Sequence, residues 1–108
     1  MTLLEQCNEQ VIEDTLTEMG KALGLTLYYF GADDTYGFHS KQTGDVAFVN
    51  GHTYFPSLEA LLKCLLTTGR IVVRESDSNK LIDNIFQGCT SLEEIRLKLA
   101  IYNGPGSL

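Results

Sequence analysis

Asn50 and Gly51 stand between two runs of alternating apolar and polar residues, in DVAFVNGHTYF at 45–55. A type I′ turn needs positive φ at both central residues, and Asn-Gly meets that need at the least steric cost. The pair predicts a β-hairpin with a two-residue loop, and so short a loop sets the register. Val49 is expected opposite His52, Phe48 opposite Thr53, Ala47 opposite Tyr54 and Val46 opposite Phe55. Side chains alternate across a sheet. Val46, Phe48, Thr53 and Phe55 therefore share a face that suits a core. Ala47, Val49, His52 and Tyr54 share one that suits a half-wet surface.

The neighbouring segments read as follows. Residues 3–23 are expected to form an amphipathic helix, with Leu4, Val11, Ile12, Leu16, Met19, Ala22 and Leu23 on one face. Gln6, Glu9, Gln10, Glu13 and Thr17 occupy the other. Thr2 and Glu5 have capping-box spacing, and Gly24 is placed to end the helix. LTLYYF, 25–30, alternates and is rich in aromatic residues, which predicts a strand. Residues 36–40 predict a neighbouring strand, joined onward by the KQTG turn.

Pro56-Ser57 closes the hairpin, and Ser57 is the expected N-cap of a helix carrying Leu58, Leu61, Leu62, Leu65 and Leu66. Glu59 and Lys63 are four apart on its polar side. Gly69 stops it, RIVVR (70–74) reads as a further strand, and ESDSN as a loop. Two short helices are expected to follow. Leu81, Ile82, Ile85 and Phe86 form the face of the first, which ends at Gly88. Thr90 with Glu93, or Ser91 with Glu94, caps the second. Leu92, Ile95, Leu99 and Tyr102 line one side of it, with Leu97 and Ile101 nearly opposite. The order is α-β-(β)-β-β-α-β-α-α. It predicts an α+β fold, a small antiparallel sheet with helices packed mainly on one face. Residues 1–103 form a single domain and 104–108 a flexible tail.

Charge is unevenly placed. Residues 1–34 hold seven acids and one base, a balance of 1 − 7 = −6, which is the whole net charge of the chain. The remainder has seven of each. Phosphate-backbone binding depends on clustered Lys and Arg, so nucleic acid is not an expected partner, and neither is an anionic membrane surface. No run of apolar residues approaches a bilayer span, and a cytoplasmic protein is expected. Cys7, Cys64 and Cys89 are odd in number and far apart, which signals neither a disulfide framework nor a zinc site.

The stretch GADDTYGFH, 31–39, concentrates Asp33, Asp34, Tyr36 and His39. Adjacent aspartates offer oxygen to a divalent cation, and a carboxylate beside a histidine offers acid–base chemistry. EF-hand spacing and HExxH are both missing, and Gly and Asp are ordinary turn formers, so a turn is the preferred reading and no metal is expected. His52 and Tyr54, two apart on one strand, suit a recognition surface. Cys89 precedes a helix start, where a thiolate gains stability, but no partner histidine is indicated. GxSxG, P-loop and GxGxxG patterns do not occur, and no cofactor is implied.

The last two helices have the spacing of a helix-turn-helix, yet Arg96 and Lys98 are offset by Glu93 and Glu94. The front half resembles double-stranded-RNA-binding domains in element order alone, since no basic cluster opens the helix at Ser57.

The expected function is that of a small acidic interaction protein, regulatory or inhibitory rather than enzymatic. Glu9, Glu13 and Glu18 are the candidate contacts for a basic protein partner. Leu97 and Ile101 are the candidate contacts for a homodimer or that partner. The alternative is a small-molecule-binding domain or minor enzyme with a pocket near Tyr28, Tyr36, His39, His52 and Tyr54.

Overall fold

The computed structural model describes residues 8–74 and 78–103, with side chains to Ile101. The fold is α+β. Helix α1 spans Glu9–Leu23, strands β1 to β4 span Leu25–Phe30, Thr35–Ser40, Ala47–Val49 and Tyr54–Phe55, and α2 spans Leu58–Thr67. Strands β5, Arg70–Arg74, and β6, Asn79–Asp83, precede α3, Leu92–Asn103.

Helix α1 begins later than the apolar pattern predicts. Asn8 is extended, and its side chain accepts a hydrogen bond from Val11 N at 2.8 Å. An Asn that captures a free N–H of the first turn stops the helix from running further toward the N-terminus. The predicted Thr2–Glu5 capping box, Leu4, Gln6, Cys7 and the tail at 104–108 lie outside the described residues. At the other end Gly24, at φ 77°, is the C-cap, as expected.

Two antiparallel sheets form, of order β1-β2-β4 and β3-β5-β6. The Asn50-Gly51 turn is present, with φ of 51° and 79°. Val49 and His52 exchange both backbone hydrogen bonds, at 2.8 and 3.0 Å. Beyond that pair the expected register does not continue. Ala47, Phe48 and Val49 pair with Val73, Val72 and Ile71, while Tyr54 and Phe55 pair with Gly37 and Tyr36. Each arm finds a different strand, and the hairpin becomes the junction of two sheets.

On the β3 arm the buried face is the reverse of the expected one, while on the other arm Phe55 is buried as expected. Ala47 and Val49 are buried, whereas Val46 and Phe48 are half-buried. Helix α2 packs close to this strand, where the Cys64 thiol lies 3.6 Å from the Val49 carbonyl oxygen, and small side chains suit that approach. The sheets meet where His39 bridges Val46 and Ser40 N donates to Asp45 O at 2.7 Å.

The first of the two predicted C-terminal helices is instead strand β6 followed by a turn. Asn79–Asp83 pairs with Arg74–Arg70 along its whole length. Residues 84–88 then serve the end of α2, whose last carbonyls have no partners within the helix. Asn84 Nδ2 donates to Leu65 O and Thr68 O, Asn84 N to Gly69 O, and Gly88 N to Leu66 O. Capping another helix takes up the backbone groups that a helix at 81–88 would need.

Ser57 caps α2 as expected, its Oγ accepting from Ala60 N at 3.1 Å. Ser91 caps α3, accepting from Glu94 N, while the Glu94 carboxylate accepts from Thr90 N and Oγ1. Ile12, Leu16 and Met19 of α1 meet Leu25 and Phe38 of the first sheet, Leu61, Leu62 and Leu65 of α2, Ile71 and Val73 of β5, and Ile95 of α3 in one core. Each such side chain contributes about 1.5–3 kcal/mol by leaving water.

Candidate functional site

Strand β1 divides its six residues between two surfaces. Leu25, Leu27 and Tyr29 share the inner face with Tyr36, Phe38 and Phe55. Thr26, Tyr28 and Phe30 share the outer face with His39, Gly37 and Tyr54, because paired residues lie on one side. The five residues predicted around one pocket therefore separate.

Tyr28, His39 and Tyr54 come together on the outer face. The Tyr28 and His39 rings stack at 4.5 Å with 11° between their planes. His39 Nε2 and the Tyr54 hydroxyl are 2.9 Å apart, and Phe30 lies 5.3 Å from the Tyr54 ring. Gly37 makes this packing possible. A side chain there would overlap the Thr53 carbonyl oxygen and come within 2.9 Å of the Tyr54 ring. Tyr28 and Phe30 are exposed in this cluster, and none of its four residues lines a described cavity.

Tyr36 lies on the opposite face, 5.0 Å from Tyr29. His52 is exposed, and its ring meets the edge of Phe55 at 6.0 Å instead of joining Tyr54. Strand alternation beyond the turn, read over an unbroken hairpin, would have kept His52 and Tyr54 together; the bend at Thr53 separates them.

Tyr36 stands between two grooves. One, of about 390 Å³, lies between the starts of α1 and α2 and is lined by Glu9, Ile12, Asp34, Pro56, Leu58 and Glu59 together with Tyr36 and Ser57. The other, of about 260 Å³, runs between α1 and β1, beside Glu13, Thr17, Lys21, Leu27, Tyr29 and Lys41. Among the described residues the first has three carboxylates in its lining and no base. Its negative potential acts on the Tyr36 hydroxyl. Burial raises the Tyr36 pKa most, and Asp34, Glu9 and Glu13 raise it further, because ionising the phenol would add another negative charge among theirs. Pro56, Ser57, Leu58 and Glu59 were not singled out as site residues in sequence. Their contribution depends on α2 starting beside α1, for which the sequence contains no local signal.

Asp34, a residue at positive φ of 54°, accepts from the Tyr29 hydroxyl at 2.8 Å. That hydrogen bond, followed by the charge of Asp34, raises the Tyr29 pKa. Asp33 and Asp34 occupy a turn, as the turn reading expects. Among the described residues no group of three or more His, Cys, Asp and Glu side chains is arranged to hold a metal ion. Glu9, Glu13 and Glu18 are exposed on α1, with Glu18 3.3 Å from Lys21 Nζ.

Cys89 is buried, and burial raises its pKa, opposed by Lys98 and reinforced by Glu94. That environment favours the unreactive thiol. Leu97 and Ile101 project from the outer side of α3, with 59% and 79% of their surface exposed, while Ile95 is buried. Among the described residues no helix is long and apolar enough to cross a membrane. Compared with protein-family models, curated proteins and solved structures, the chain matches none.

Proposed function

We propose that this chain is a non-enzymatic, cytoplasmic protein-binding domain that regulates or inhibits a basic partner and works as a homodimer. The groove at Tyr36 carries the reading. Glu9, Asp34 and Glu59 surround an aromatic ring in a concave surface that, among the described residues, is lined by no base. A Lys or Arg side chain inserted there pairs with the carboxylates and lies against the ring, an arrangement that suits cations and repels anions. Glu13, one turn beyond Glu9, extends the negative surface along α1 and steers a basic partner toward the groove, while Glu18 lies on the opposite side of the helix, beside Arg96 and paired with Lys21. Leu97 and Ile101 supply apolar contact area on another side of the molecule, toward the same partner.

The test is a titration of a fluorescent Lys- and Arg-containing peptide with the intact chain, beside an acidic peptide of equal length. Binding of the basic peptide alone, weakened by salt and abolished by Glu9→Lys with Glu59→Lys, is the expected result. Binding that survives that pair, and also reversal of Glu9, Glu13 and Glu18 to Lys, overturns the reading.

A further inference from the structure

Natural sheets protect their edges with charges, proline, bulges or very short strands. Three of the four described edges follow that rule. Strand β6 carries Lys80 and Asp83, and β4 and β3 have only two and three residues. Strand β1 is the exception. It is the end strand of its sheet among the described residues, and LTLYYF contains no charge, no proline and no glycine.

The open backbone groups can be assigned. Lys41 N donates to Gly24 O at 3.0 Å, one step beyond the Leu25–Ser40 pair. Hydrogen-bonded pairs alternate in an antiparallel ladder. Thr26, Tyr28 and Phe30 therefore turn their N–H and C=O toward β2, and Leu25, Leu27 and Tyr29 turn theirs toward the edge. The Leu25 carbonyl lies against Gly20 of α1, which closes that end. Leu27 and Tyr29 remain open among the described residues.

We infer that β1 pairs antiparallel with β1 of a second copy of this chain, about a twofold axis at Tyr28. This rests on the homodimer part of the reading above and uses the groove between α1 and β1, which shares Tyr36 with the carboxylate-lined groove, while Asp34 belongs both to that second groove and to the end of β1. Leu27 then lies opposite Tyr29 of the other copy, and the reverse, with two backbone hydrogen bonds at each pair. The Tyr29 side chain, 54% exposed, enters the other copy's groove between α1 and β1, beside Leu27, Glu13, Thr17 and Lys21.

Charge placement selects the second copy, and the antiparallel direction, over other occupants. Lys21 and Lys41 line the groove at the start of β1, and Asp33 and Asp34 follow its end. An antiparallel pair brings the acidic end of each copy to the basic end of the other, twice by symmetry. Glu18, already paired with Lys21, is the one acid of α1 near that basic end. A parallel pair would set like charges together.

Light scattering and amide hydrogen exchange on the intact chain test this. The expected mass is twice that of the chain, with Leu27 and Tyr29 amides protected at high concentration and exchanging fast on dilution. Tyr28→Lys, which sets two cations side by side at the axis, is expected to leave a folded monomer by circular dichroism. Asp33→Lys or Lys41→Glu alone is expected to weaken the dimer about tenfold, and the two together to restore it. Asp33 and Lys41 are exposed, so these variants serve if Tyr28→Lys does not fold. A monomer throughout the micromolar range overturns the proposal and the homodimer reading together. A dimer with fast-exchanging Leu27 and Tyr29 amides, or one indifferent to all three variants, overturns only the β1 interface. Basic-peptide binding is read separately in either case.

Discussion

Asn84 and Leu65 are joined by a hydrogen bond of 2.6 Å from the Asn84 side-chain amide to the Leu65 carbonyl, across nineteen residues of sequence. The same Nδ2 reaches Thr68 O at 2.7 Å, and Oδ1 accepts from Phe86 N at 3.0 Å. One buried side chain thus satisfies the end of α2 and shapes the turn leading to α3.

Asn84→Ala is expected to cost about 2–3 kcal/mol, since it leaves buried carbonyls without a donor. Asn84→Asp is expected to cost more, because a carboxylate would face those same carbonyl oxygens. Urea denaturation of the two variants checks both the size and the order.

Gly37→Ala is expected to destabilise by about 1–3 kcal/mol, the range for forcing atoms into a packed site. The added methyl meets the Thr53 backbone, which cannot rotate away as a side-chain tip could. Thermal melting gives the stability. Loss of the His39–Tyr54 hydrogen bond, seen in the His39 imidazole signals by NMR, shows whether β4 has been displaced.

Tyr29 carries a pH dependence. Its pKa in the fold is raised from the ordinary 10.0 because its hydroxyl donates to Asp34. An acid whose folded pKa exceeds its unfolded one stabilises the fold fully below the unfolded value, and that contribution is lost as pH rises through the folded value. Stability is therefore expected to fall above pH 10.0, and less steeply in Tyr29→Phe. Asp34→Asn, which tolerates the positive φ at that position, is expected to bring the Tyr29 titration back toward its ordinary value in tyrosinate absorbance.

Native Cys89 is expected to resist alkylation at neutral pH, since burial keeps it a thiol. Mass spectrometry of the peptide containing it, with and without denaturant, reads the protection directly. Rapid labelling of the folded chain would mean that the segment between Gln87 and Ser91 opens on its own.

Local chemistry was legible wherever a residue answers to its immediate neighbours. Asn50 and Gly51 specify their turn through φ, Ser57 and Ser91 cap helices through their own hydroxyls, and Leu25 to Phe30 alternate into a strand. The exposure of Leu97 and Ile101 followed from helical spacing alone. Three of the five aromatic and histidine residues proposed as neighbours do meet, because Tyr28, His39 and Tyr54 keep the strand periodicity on either side of Gly37.

Partnership was decided by the tertiary structure. Nothing near Val49 or His52 states that one arm of their hairpin will pair with β5 and the other with β2, because those strands lie far away in sequence. For the same reason Leu81 and Ile82, whose spacing suits either a helix or a strand, become β6 only once β5 is beside them. Asn84 turns the chain because α2 presents free carbonyls to it. Intrinsic preference acts over a few residues, while strand pairing and helix-end satisfaction are settled by whichever groups the folded chain brings within hydrogen-bond reach.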